Sequence, residues 1–161
     1  MRNSAFRKSG VKRANSGFTL IEILVVIGII ALLATIVIVA INPARQFAQA
    51  RNTQRQSNIN TILNGIGQNI ADNKGIFTCG LVTLNPGTAS TTIDNGTGGT
   101  GKDLSCLTPT YIPSFPSDPT PPAAPATGYT ISVDSVGRVL ICSPLATEPA
   151  IVGSSALCVK R

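Results

Sequence analysis

Histidine is absent from this 161-residue sequence, and that absence removes both the commonest general base and the commonest metal ligand. Serine and cysteine nucleophiles are left without an imidazole to activate them, and the seven acidic residues show no close pairing outside the apolar segment described below. No two of the four cysteines stand at CxxC spacing, so a zinc site would have to gather four scattered thiolates. Neither a metal nor a cofactor is expected, and the chemistry of an enzyme is hard to find. Charge is scarce as well: 12% of residues are charged beside 43% hydrophobic ones. The hydrophobic residues are concentrated at 18–41 instead of being spread through a large core.

Acidic residues are missing altogether before Gly17, where Arg2, Arg7, Lys8, Lys12 and Arg13 stand. The formal charge of +6 therefore belongs mostly to residues 1–17, and beyond them eight basic residues face seven acidic ones. Nucleic acid as a partner is not supported by that distribution. If residues 1–17 are an export leader and the next segment spans a membrane, roughly 100 residues remain, enough for one small domain.

In an ordinary secretory signal a short apolar stretch precedes a small-residue cleavage site; here Gly17 comes before the apolar stretch, so cleavage at Gly17 would keep the anchor. The run 18–41 would make roughly 36 Å of helix, enough to cross a hydrocarbon layer of about 30 Å. Glu22 interrupts it. At roughly −0.3 to −0.6 kcal/mol each, the 14 Ile, Leu and Val residues of 23–41 outweigh one charge costing about +3 kcal/mol. An ionisable group in such a segment normally has a task and a cationic partner, and an α-amino group freed at Phe18, on the same or a neighbouring molecule, is the nearest candidate. Five basic residues on one side of the run, against Arg45, Arg51 and Arg55 on the other, place residues 1–17 in the cytoplasm and the C-terminal part outside.

The residues SGFTLIEILVVIGIIALLATIVIV, from Ser16 onward, resemble the processing site and N-terminal helix of type IV pilins and pseudopilins. The resemblance implies that a prepilin peptidase cuts after Gly17 and methylates the new amino group of Phe18. It also implies that Glu22 neutralises the N-terminus of a neighbouring subunit during assembly. Many members of that family carry a proline late in the apolar segment; this sequence has Val39 there and its first proline at Pro43. Proline removes a helical hydrogen bond and disfavours helix in the residue before it, so a kink is expected near Ile41 and Asn42.

Beyond Pro43, Phe47, Ile59, Ile62, Leu63, Ile66 and Ile70 recur at helical spacing, with Arg51, Asn52, Gln54, Arg55, Gln56, Ser57, Asn58 and Asn60 forming the expected wet face. One long, kinked helix over 18–71 is expected, with Asp72 to Gly75 as its stop. Arg45, Arg51 and Arg55 read as solvated, the sharper alternative being contact with lipid headgroups or with acidic groups of adjacent subunits. Residues 76–84 could form a short strand, 85–102 read as a surface loop, and the proline-rich 109–125 should run extended over the surface. GTGGTG, at 96–101, lacks the strand, helix and Lys-Ser/Thr of a phosphate cradle. Residues 129–133 and 138–143 flank a turn-like DSVG and should pair as a hairpin, with 156–160 as a third strand.

The expected fold class is α+β: a long N-terminal helix, spanning in its first half and amphipathic in its second, packed on a small antiparallel sheet. Residues 1–17 are then a cleaved leader, 18–42 the spanning and filament-core helix, and 43–161 the exported domain. Cys79, Cys106, Cys142 and Cys158 all fall in that domain, where an even number favours disulfides. Three connectivities are open; Cys79 with Cys106 and Cys142 with Cys158 is the favoured one, each loop contributing roughly 3 kcal/mol. Asp94, Asp103, Asp118 and Asp134 read as surface carboxylates, since no loop has the spacing of a calcium-binding hand.

The resemblance implies a structural subunit held in the bacterial cytoplasmic membrane before assembly and in a surface filament after it. Its partners would be copies of itself, the prepilin peptidase, the assembly platform with its ATPase, and membrane lipid. The alternatives are a pseudopilin of a secretion or DNA-uptake system and, from a different class, a membrane-tethered exported enzyme or binding protein.

Overall fold

The computed structural model describes residues 17–96, 98–120, 122 and 124–161. Apart from Gly17, the expected leader lies outside the described residues. The protein divides into two compact units, Met1–Asn42 and Pro43–Arg161.

In the first unit, helix α1 spans Leu20–Ala40 and carries apolar side chains on every face, none of them buried. It is long and apolar enough to cross a membrane. Thr35 turns its hydroxyl back to the carbonyl of Ala31 at 2.9 Å, so the hydroxyl in the middle of this apolar rod is satisfied within the helix. Helical geometry stops at Ile41, whose backbone is extended, and resumes at Pro43. The expected single helix is thus two, for the reason that predicted a kink: proline is unfavourable inside a helix but suited to the first position of a new one.

The second unit opens with helix α2, Pro43–Asp72. It ends where Lys74 and Gly75 take left-handed backbone angles and the Gly75 amide reaches back to the carbonyl of Ile70 at 2.8 Å, a bond that closes an orphaned helical carbonyl. Among the described residues five strands follow: β1 Thr91–Asp94, β2 Lys102–Asp103, β3 Ala126–Val133, β4 Val139–Ser143 and β5 Leu157–Lys160. The sheet order is β2-β1-β3-β4-β5, with β1 and β2 parallel and the other neighbours antiparallel. Alternation on β3 sends Thr127, Tyr129, Ile131 and Val133 inward, and Val139 and Ile141 of β4 join them. Against this face α2 packs Ile59, Ile62, Leu63 and Ile66, so the core lies between one helix stripe and one sheet face. The α+β class expected from the sequence is the fold observed.

Several local expectations are corrected. Residues 85–102 are not simply a loop, because β1 and the start of β2 lie within them and Ile93 is fully buried. Residues 76–84 form no strand beyond a single bridge between Cys79 and Val82. In the proline-rich 109–125, Ile112 and Asp118 are buried, so the segment is pinned to the domain at those points.

Candidate functional site

The Gly17–Phe18 peptide bond lies in a non-helical stretch ahead of α1, with both residues exposed and Phe18 at 82%. A Cβ added at Gly17 would meet nothing within 4 Å, so packing among the described residues does not require glycine there. Thr19 is the N-cap of α1: its hydroxyl accepts from the Glu22 amide at 3.3 Å. In return one oxygen of the Glu22 carboxylate accepts from the Thr19 amide at 2.8 Å and from the Thr19 hydroxyl at 2.9 Å. This reciprocal arrangement satisfies two otherwise orphaned donors of the first turn, where the helix dipole also favours negative charge. A carboxylate has about four acceptor positions, so Glu22 keeps capacity for a further, cationic donor.

Residues 12–38 match the family model of the prokaryotic N-terminal methylation motif. The protein bears the type IV prepilin and pseudopilin signature. Gly17, Phe18 and Glu22 all fall within the matched stretch, and so does most of α1. The motif implies processing by a prepilin peptidase and assembly into a pilus-like filament. No curated protein and no solved structure matches the sequence.

Two disulfides staple the second unit, Cys79 to Cys106 and Cys142 to Cys158. The latter joins directly opposed residues of β4 and β5, 4.1 Å apart at Cα. The former ties the end of the 76–79 segment to the short 3₁₀ turn Ser105–Leu107.

A second constellation is not apparent from the sequence. Arg55, expected on the wet face of α2, is 1% exposed. Its guanidinium forms a fork on Asp118 at 2.8 and 3.0 Å and also reaches Glu148 at 2.5 Å, Asn52 at 2.8 Å and Thr120 at 3.0 Å. Arg51 holds Glu148 through two further bonds, at 2.7 and 2.6 Å. Ser143 of β4 donates to Asp118 at 3.3 Å, and Asn58 donates to the Tyr129 hydroxyl at 2.8 Å. Asp118 is thereby buried at 3% exposure and is no surface carboxylate. Asp94 is buried too, accepting from the Gly101 amide at 2.7 Å. Among the described residues no group of acidic, cysteine or histidine side chains could hold a metal ion.

The charges answer to these contacts. Burial pushes the Asp118 carboxyl up, but Arg55 and then Thr120 overcome it and the net displacement is downward. The Glu148 carboxyl is drawn down to about 2, first by Arg51 and then by Arg55. Burial pushes the Tyr129 phenol up against the opposing effect of Asn58. The position of Arg55 was legible in one respect: it stands seven residues after Ala48 and four before Ile59, both fully buried, and therefore on the apolar stripe. A guanidinium on that stripe needs a carboxylate from elsewhere in the protein.

Proposed function

We propose that this protein is a structural subunit of a type IV pilus or pilus-like filament. It enters the bacterial cytoplasmic membrane through α1, is cut after Gly17, is methylated at Phe18, and polymerises through α1 with its disulfide-stapled domain facing outward. The observation that carries this reading is the methylation motif spanning Gly17, Phe18 and Glu22 at the start of a helix that buries none of its apolar side chains. Such a helix is content in lipid, so lateral association there is cheap, but its extraction needs a growing bundle to receive it and work from an assembly platform and ATPase. A carboxylate inside that bundle needs a cation, and the amine of Phe18 on an adjoining copy supplies one.

The capping geometry makes a clean test available. Glutamine at the third helical position can still close a capping box but carries no charge. The Glu22→Gln and Glu22→Ala variants are expected to be processed at Gly17 and to yield few or no filaments by electron microscopy. Undiminished filaments from Glu22→Gln would overturn the assigned role. Abundance of the protein in sheared filaments separates a major pilin from a minor subunit or pseudopilin.

A further inference from the structure

The sequence holds two Asn-Gly dipeptides, Asn64-Gly65 and Asn95-Gly96, and the fold treats them in opposite ways. Asn64 lies well inside α2, where the following amide is committed to the helix and its own side-group oxygen accepts from Arg161. Gly65 is buried, and a Cβ there would come within 3.1 Å of an Ile112 methyl, so a small residue is explained by packing. Asn95 is instead exposed in the bend that leaves β1, anchored on its N-terminal side by its amide's bond to the Pro125 carbonyl at 3.1 Å. At Gly96 an added Cβ would meet nothing within 4 Å, and the backbone is not in the left-handed region. Neither space nor backbone angle calls for glycine at 96. What glycine does provide is an unshielded amide beside an asparagine side group.

We propose that Asn95 is a site of spontaneous, enzyme-independent deamidation, giving the exported domain a charge that appears with age. In the step, the Gly96 amide nitrogen loses its proton and attacks Cγ of Asn95, forming a new bond from nitrogen to Cγ while the bond from Cγ to Nδ2 breaks and ammonia leaves. Water then opens the five-membered imide at either carbonyl, giving aspartate or isoaspartate; the net change is one water consumed and one ammonia released. Asparagine is among the thermolabile residues, and a flexible, exposed backbone is where it reacts.

The position gives the product consequences. Asp94, immediately before it, is buried and accepts the Gly101 amide, and its carbonyl accepts from Leu104 at 3.0 Å. Gly99 is so close that a Cβ there would sit 1.9 Å from the Asp94 carboxylate. Aspartate at 95 sets a second carboxylate beside this one, and isoaspartate adds a methylene to the backbone between β1 and β2. Either product removes the excess of one basic residue that remains beyond Gly17, leaving eight of each sign. Long-lived subunits near formal neutrality repel one another less.

The test is to hold the purified full-length protein in mildly alkaline buffer and follow it by peptide mapping with mass spectrometry and enzymatic isoaspartate labelling. Acid should accumulate at Asn95 and not at Asn64, faster as pH rises, with an acidic shift on isoelectric focusing. Gly96→Ala, for which there is room, should slow the conversion at least several-fold while leaving the circular dichroism spectrum unchanged. Equal rates at Asn64 and Asn95, or a Gly96→Ala protein that converts as fast as the original, would overturn the proposal. The outcome does not depend on whether the protein polymerises.

Discussion

Arg55 and Asp118, 63 positions apart in the sequence, meet in a two-pronged ion pair from which water is excluded: their side chains are 1% and 0% exposed. The pair fastens the proline-rich segment to α2, and Ser143 brings β4 to the same carboxylate. Buried pairs are weak evidence of net stability, because desolvation opposes the attraction, but removing one partner strands the other.

Truncating Arg55 to alanine should therefore destabilise the folded protein by about 3–5 kcal/mol, and Asp118→Ala by a similar amount. The double variant should lose clearly less than the two single losses combined, since the stranded charge is gone. Chemical denaturation of the four proteins checks this. Additive losses would mean that the two residues act independently. Arg51, with its side chain 34% exposed, should matter less, because solvent screens its pairing with Glu148.

Glu148 makes stability depend on acid. Its carboxyl falls from an ordinary 4.5 to about 2 on folding, held by Arg51 and then Arg55. Because the folded value is the lower one, the stabilisation is fully present above about pH 4.5 and is lost as the pH falls toward about 2. Asp118, displaced in the same direction, adds to the loss. Asp134 titrates in this window too, bound by the Arg138 amide and guanidinium, so it stays intact in the comparison. Glu148→Gln should show a shallower decline of the unfolding midpoint between those pH values than the parent. Superimposable profiles would refute the assignment.

Two glycines should respond with opposite signs. At Gly67, inside α2, an added Cβ meets nothing within 4 Å, and alanine should stabilise by roughly 0.5–1 kcal/mol through its better helix propensity. At Gly101 the Cβ would fall 2.4 Å from the Thr92 hydroxyl and 2.5 Å from its carbonyl oxygen, against β1. Gly101→Ala should destabilise by more than about 1 kcal/mol. Thermal unfolding of both variants measures the signs directly.

What was legible in the sequence follows the strength of local pattern. A long apolar run interrupted by one acid, a stripe at helical spacing and two alternating segments around DSVG gave α1, α2 and the β3–β4 hairpin, because each pattern is set by the element's own geometry. Strand β1 was hidden, since Thr91–Asp94 sits among Gly, Asn, Ser and Thr and exists as a strand by pairing with Ile131 and Thr130 of β3. The Arg55 cluster was hidden for a related reason. Its partners, Asp118 and Glu148, lie in proline-containing loops whose path only the folded state determines. The candidate processing and assembly residues, by contrast, were legible because their signal is contiguous: a small residue, a free helix start and one acid in an apolar segment.

The proposed processing fixes where the mature protein begins, and mass spectrometry of the N-terminal peptide, from protein taken from its native membrane or filaments, reads that directly. The first residue should be Phe18, with a methyl group on its amine. A mature protein that keeps Met1, or that starts at any other residue, would contradict it.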